Sequence, residues 1–174
     1  MRDRKTMHWR THPSLRGKLH PQHRDDLQVV VHDGGPRLTQ HRPEAVWVTI
    51  TSLENGIFVG RVLNAPEQLK SVQQNQSIRF LVNTGTEHAV MVTDKYLGEK
   101  AYWKITPCTK CGFSELFDAP SDLVRATFPN MPADAELEGF TAFCPLCGGV
   151  QVVESCKHRV ESIRRPWWKF WSAK

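Results

Sequence analysis

Four of the five cysteines in this 174-residue chain fall into two pairs, Cys108-Thr109-Lys110-Cys111-Gly112 and Cys144-Pro145-Leu146-Cys147-Gly148-Gly149. Two residues between sulfurs let one tight turn aim both thiolates at a single ion. Two such turns face to face supply four sulfurs, the closed tetrahedral shell of structural zinc. The glycine after each pair can take positive φ and lets backbone N–H groups approach the anionic sulfurs. Pro145 stiffens the second turn. The expectation is one structural Zn2+ held by Cys108, Cys111, Cys144 and Cys147. Four protein ligands leave such an ion no open position for water or substrate, which argues against catalysis at the metal.

From about Trp103 to Glu154 this pattern resembles the zinc-ribbon family, in which two cysteine knuckles join antiparallel strands. The pairs are separated by 32 residues, 112 to 143, where the commoner ribbon spacing is about 15–20. Loop-closure entropy grows only logarithmically, so the longer insertion costs little. The competing chemistry is redox, because Cys144-Pro145-Leu146-Cys147 also resembles the C-P-x-C of glutaredoxin and thioredoxin-type proteins. That chemistry needs the pair at a helix N-terminus after a buried strand. Here two glycines and a strand-like run follow instead. Cys156 and His158 lie close enough in sequence to replace one ligand or to serve a second site, and the sequence leaves that alternative open.

Few other residues have the types and spacing for catalysis. His32, Asp33, Glu87 and His88 are the polar candidates for an enzymatic site on the N-terminal half. His23-Arg24-Asp25 imitates a kinase catalytic loop, but Val30 stands where that loop needs Asn and no glycine-rich phosphate loop precedes it. No P-loop, dinucleotide fingerprint or nucleophile elbow occurs. The pairs His8/His12 and His20/His23 have helical spacing, but Pro13 and Pro21 argue against a regular helix through them. They read as part of a solvated basic arm able to donate to phosphate oxygens.

The elements that must position the cysteines follow from pattern. Leu27 to His32 is a β-branched run closed by Asp33-Gly34-Gly35-Pro36. Ala45 to Thr51 alternates, with Val46, Val48 and Ile50 on one face and Trp47 and Thr49 on the other. Asn55-Gly56 joins it to Ile57–Leu63 as a hairpin. Ser77 to Val82, His88 to Thr93 and Ala101 to Ile105 are further strand candidates, with a helical turn at Lys95 to Leu97 ended by Gly98. Ala119-Pro120-Ser121-Asp122 marks a helix start, and Pro129 stops that helix. Strand candidates Gly139–Phe143 and Val150–Glu154 flank the second cysteine pair.

Glu44-Ala45-Val46-Trp47-Val48, with Gly56-Ile57-Phe58-Val59-Gly60-Arg61-Val62-Leu63-Asn64-Ala65-Pro66, resembles the bacterial YegJ-like domain of unknown function over residues 42–82. Asn75-Gln76 departs from the Gly-Asp usual in that family, and the Asp-Trp that often follows is not evident. The resemblance implies a fold and no catalytic residues, with Gly60 at a bulge or a close approach. Trp47 reads as a core or sheet-face aromatic.

The fold class expected is α+β: a mainly antiparallel sheet or small barrel followed by a zinc ribbon with a helical insertion. Its divisions are a basic His/Arg-rich arm (1–26), a β-domain (27–106), the ribbon (107–158) and a basic Trp-rich tail (159–174). The net charge of +5 is uneven: residues 1–42 carry nine Lys/Arg against four Asp, 43–156 carry eight against thirteen acids, and 157–174 carry six against one. Basic ends on an acidic body suit nucleic acid, anionic lipid or an acidic protein partner. In the tail, Arg164, Arg165, Trp167, Trp168 and Trp171 are the candidate nucleic-acid or partner contacts. Its composition resembles that of Trp-rich cationic antimicrobial peptides, which adds a membrane surface as a third partner class, while folding back onto the protein is the structural alternative. No run has the roughly 18 apolar residues of a membrane span, and no apolar stretch follows the N-terminal charges as in a secretory signal. Cysteine pairs of this kind suit a reducing compartment, so the expected location is cytoplasmic; the sequon Asn75-Gln76-Ser77 is then idle. The function expected is a non-enzymatic binding or adaptor module with structural zinc, contacting nucleic acid through its termini. An enzyme on the β-domain and a peripheral membrane or docking protein are the alternatives.

Overall fold

The computed structural model describes residues 9–132 and 135–156. Five strands, β1 (Asp26–Val31), β2 (Glu44–Glu54), β3 (Ile57–Val62), β4 (Ser77–Leu81) and β5 (Ala89–Met91), close into a barrel in sequential order. Neighbours pair antiparallel, and the closing pair of β5 with β1 is parallel. An odd number of strands in an up-and-down circuit forces one such pair, so the antiparallel expectation holds for every pair but that one. Alternation fills the barrel: Val46, Val48 and Ile50 of β2 are buried with Leu27, Val29 and Val31 of β1 and Phe58 and Phe80 of β3 and β4. The β2–β3 hairpin turns on Asn55 and Gly56, both with positive φ. A register shift between Ile50 and Ser52 makes a bulge opposite Gly60, where a Cβ would overlap the Val48 side chain.

The basic N-terminal stretch differs from a solvated arm over its described part. Trp9 and Leu15 are buried in the barrel cluster, a short 3₁₀ turn spans Pro13–Leu15, and Arg10 makes a two-pronged contact with Asp25 at 2.5 and 2.9 Å. Two large apolar side chains are enough to fix a segment whose remaining residues are polar.

Beyond the barrel come α1 (Asp94–Lys100), β6 (Trp103–Ile105), α2 (Pro120–Thr127), β7 (Gly139–Phe143) and β8 (Val150–Ser155). Helix α1 runs through Gly98 rather than ending there. Thr93 caps its start by accepting from the Tyr96 N–H, and the buried Tyr96 ring anchors it. Helix α2 starts at Pro120, as its sequence signals require. Ala119 offers no cap, and the Glu99 carboxylate of α1 accepts from the Ser121 N–H at 2.8 Å instead. Strands β6, β8 and β7 form a second antiparallel sheet with β8 central.

The barrel and this sheet share their cores. Ile57 and Leu81 of the barrel pack with Tyr96, Leu116, Phe140 and Val153, while Val30 and Val90 pack with Phe113, Phe117, Cys108 and Cys144. Every residue from Glu115 to Pro120 is buried between them. No helix among the described residues is long and apolar enough to cross a membrane.

Candidate metal centre

Strand β6 delivers the chain into the first knuckle, and β7 into the second. Pairing continues past β6, since Thr106 N–H donates to Val152 C=O at 2.9 Å and Thr109 N–H to Val150 C=O at 3.1 Å. The two turns are built alike. Cys108 N–H donates to Phe113 C=O at 2.8 Å and its C=O accepts from Gly112 N–H at 3.0 Å. Cys144 repeats this with Gly149 C=O at 2.7 Å and Gly148 N–H at 2.8 Å. Gly112 and Gly148 have φ of 78° and 69°, the left-handed conformation the spacing calls for.

The result is four sulfurs facing one point. Cys108 Sγ lies 3.5 Å from Cys147 Sγ, Cys111 Sγ lies 3.6 Å from Cys144 Sγ, and all four fall within 4.8 Å of one another. A tetrahedral shell with metal–sulfur bonds of about 2.3 Å places its sulfurs roughly 3.8 Å apart. The cluster therefore has the dimensions to hold a metal ion, and four thiolates are the donor set typical of zinc. Gly149 makes the closure possible: a Cβ there would lie 2.5 Å from Cys108 Sγ.

The protein's own groups treat the thiols unequally. The Cys111 and Lys110 N–H groups aimed at Cys108 bring its thiol down to about 6. Burial pushes Cys111 and Cys144 up, against the N–H groups of Phe113, Leu146 and Cys147. A bound divalent cation inverts such penalties, because a coordinating thiol is deprotonated outright. Neither pair begins a helix, and all four cysteines are free thiols. The setting is a pair of strand-joining turns, unlike that of a C-P-x-C oxidoreductase.

Cys156 is exposed and stands outside the cluster, with its N–H bonded to Tyr102 C=O at 2.9 Å. His158, Arg164, Arg165, Trp167, Trp168 and Trp171 lie outside the described residues.

The polar candidates of the barrel separate into two places. Glu87 and His88 are exposed in the β4–β5 loop, where Lys18 Nζ donates to Glu87 C=O at 2.6 Å. His32 and Asp33 line a cleft of about 580 Å³ together with Arg79, Asp94, Asp118 and Asp122. Both ring nitrogens of His32 serve the backbone: Nε2 donates to Met91 C=O at 2.9 Å and Nδ1 accepts from Gly34 N–H at 3.1 Å. Burial lowers its pKa to about 4, outweighing the Met91 bond and the charge of Asp33. Asp33 is partly buried, which favours its acid form. Bonds from Ser71, His41 and the Lys70 backbone outweigh this and hold it below the usual carboxylate range. Asp118, which the sequence did not single out, is buried beside Gly34 and Gly35 and accepts the Gly35 N–H at 2.8 Å. Its pKa is raised, chiefly by burial, with the Asp122 charge adding to it. The Asp-Gly-Gly at 33–35 is the one sequence signal that could have pointed to it.

Comparison with protein-family models, with curated proteins and with solved structures finds no match for this chain.

Proposed function

We propose that this chain is a non-enzymatic binding module built around one structural zinc ion, and that its basic N-terminal segment contacts nucleic acid. Four thiolates fill a zinc shell, so the ion organises the second sheet and its junction with the barrel without meeting substrate. His32, the side chain best placed for acid–base work in the cleft, is committed to holding two backbone groups. We read the YegJ-like resemblance of residues 42–82 as a likeness of strand architecture, which supplies no activity.

The observation that carries the nucleic-acid reading is a ring cluster on the barrel surface. His20 meets Trp47 at 5.0 Å and His23 at 4.9 Å between centroids. His20 Nδ1 accepts from the Gln22 and His23 N–H groups, which leaves its proton on Nε2, free to donate to a phosphate oxygen. Arg16 and Arg24 on the same segment are exposed. Trp9 and Leu15 anchor that segment, so its cations are presented from a fixed base. Aromatic platforms flanked by cations suit unpaired bases and their backbone.

The test is fluorescence anisotropy with a single-stranded oligonucleotide across a salt series. Affinity should fall with salt, and Arg16→Ala and Arg24→Ala should each reduce the log–log slope by about 0.7. Trp47→Ala should cost about 1–3 kcal/mol of binding, with an unchanged melting temperature showing that the barrel is intact. Absent or salt-independent binding overturns the reading.

A further inference from the structure

We propose that the Trp-rich segment from Pro166 to Trp171 docks, within the same molecule, onto the apolar groove between α2, the start of β6 and the end of β8. This groove encloses about 840 Å³, and Tyr102, Trp103, Val124, Phe128, Met131 and Leu137 supply its apolar walls. Tyr102 and Phe128 are 56% and 42% exposed, large apolar surfaces left in water on one side of the fold.

Three observations select the chain's own C-terminus as the occupant. The first is where the described chain ends. Ser155, the last residue of β8, lines the groove, and the Cys156 N–H is pinned to Tyr102 C=O at 2.9 Å, so the chain leaves from the groove's own lip. The second is length. Nine residues, 157–165, separate that lip from Pro166, and a chain of nine residues spans at most about 32 Å. Such a tether gives an effective concentration in the millimolar range, far above that of any free partner at micromolar protein. The third is complementarity. Trp167, Trp168, Phe170 and Trp171 each offer about 150–250 Å² for burial. The groove's apolar walls match this surface, and Glu99 among its lining residues suits the neighbouring Arg164, Arg165 and Lys169.

At an effective concentration of about 1 mM, a local affinity as weak as roughly 0.1 mM already protects the groove about ten-fold. Hydrogen exchange of the full-length chain, wild type against Trp167→Ala/Trp168→Ala/Trp171→Ala, reads this directly. Amides in peptides covering 101–105 and 121–132 should exchange about ten-fold faster in the variant, independently of protein concentration. From the other side, Phe128→Glu and, separately, Tyr102→Glu should speed tryptic cleavage after Arg164 and Lys169. Both residues are exposed, so the fold does not depend on them. Identical exchange in wild type and variant overturns the proposal. So does protection that grows with protein concentration, which assigns the segment to a second copy. Protection seen only with phosphatidylglycerol vesicles assigns it to a lipid surface and overturns the proposal equally.

Discussion

The rings of His32 and Phe117 lie stacked, 3.9 Å between centroids and 9° from parallel. One belongs to the end of the first barrel strand and the other to the loop that follows the first cysteine knuckle. The contact ties the barrel to the segment that carries the cysteine cluster through a neutral imidazole. The unfolded chain takes up a proton at His32 near pH 6.5, while the folded chain resists it down to about 4. Stability is therefore complete above about pH 6.5 and is lost progressively as the pH falls towards 4, by about 3 kcal/mol from this residue. Urea melts of wild type and His32→Asn between pH 7.5 and 4.5 check it. The wild-type advantage should shrink as the pH drops, and a constant gap rules the mechanism out.

Metal removal should melt more than the second sheet. Structural zinc sites contribute about 10–16 kcal/mol to ordering the segments that bind them, against about 5–15 kcal/mol for a whole domain. Cys108 and Cys144 also pack with Val30 and Val90 of the barrel, so loosening the knuckles uncovers the outer face of β1 and β5. Elemental analysis should find about one zinc per chain. Chelation should lower the melting temperature of the whole molecule in one transition. Unchanged circular dichroism and melting after chelation would remove the structural role of the ion.

The second knuckle contains two adjacent glycines with different reasons to be glycine. At Gly149 an added Cβ would meet Cys108 Sγ at 2.5 Å and Lys110 Cβ at 3.1 Å. At Gly148 the space is open, but φ is 69°. Gly149→Ala should therefore displace a ligand and weaken metal affinity about 10–100-fold, the range for disturbing the surroundings of a metal's ligands. Gly148→Ala should leave affinity nearly intact and cost about 1–2 kcal/mol of backbone strain. Competition with a chromophoric chelator, alongside thermal melts, separates the two effects.

What the sequence made legible was local. Two residues between cysteines specify a knuckle, and alternation in Ala45–Thr51 specifies which side of β2 faces inward, because both depend on neighbours along the chain. Asn75 shows the same logic at finer grain: it has φ of 68°, a left-handed conformation that asparagine tolerates better than most side chains.

What stayed hidden was the consequence of closure. His32 draws attention as a polar residue at a strand end, yet its role is set by Met91 and Phe117, 59 and 85 residues further on. Trp9 and Leu15 were masked by the Arg, His and Pro around them. Helix α1 passes through Gly98 because tertiary burial of Tyr96 outweighs the roughly 1 kcal/mol cost of a helical glycine. The buried run from Glu115 to Ala119 has no period to betray it, since it is a bent loop leading into α2 and wedged between two sheets.

Glu115 is the costliest member of that run, a carboxylate with a side chain only 8% exposed. Both of its oxygens accept from Lys100 Nζ at 2.6 Å, and one also accepts the Tyr96 hydroxyl. Burial first, and then the Glu115 charge, raise the Tyr96 pKa, so the phenol remains a donor throughout the physiological range. Removing one partner of a buried pair typically costs about 3–5 kcal/mol. The Lys100 side chain is 38% exposed, however, so water replaces part of what is lost. Lys100→Met should accordingly destabilise by about 1–2 kcal/mol, less than Glu115→Ala, which also leaves the Tyr96 hydroxyl without its acceptor. Glu115→Gln keeps an acceptor for Tyr96 while removing the charge, so adding it to Lys100→Met should restore part of the loss. A double-mutant cycle on Lys100→Met and Glu115→Gln, read by urea denaturation, measures the coupling. A value near zero would mean that Tyr96 alone holds the carboxylate, and that Lys100 is a surface cation lying beside it.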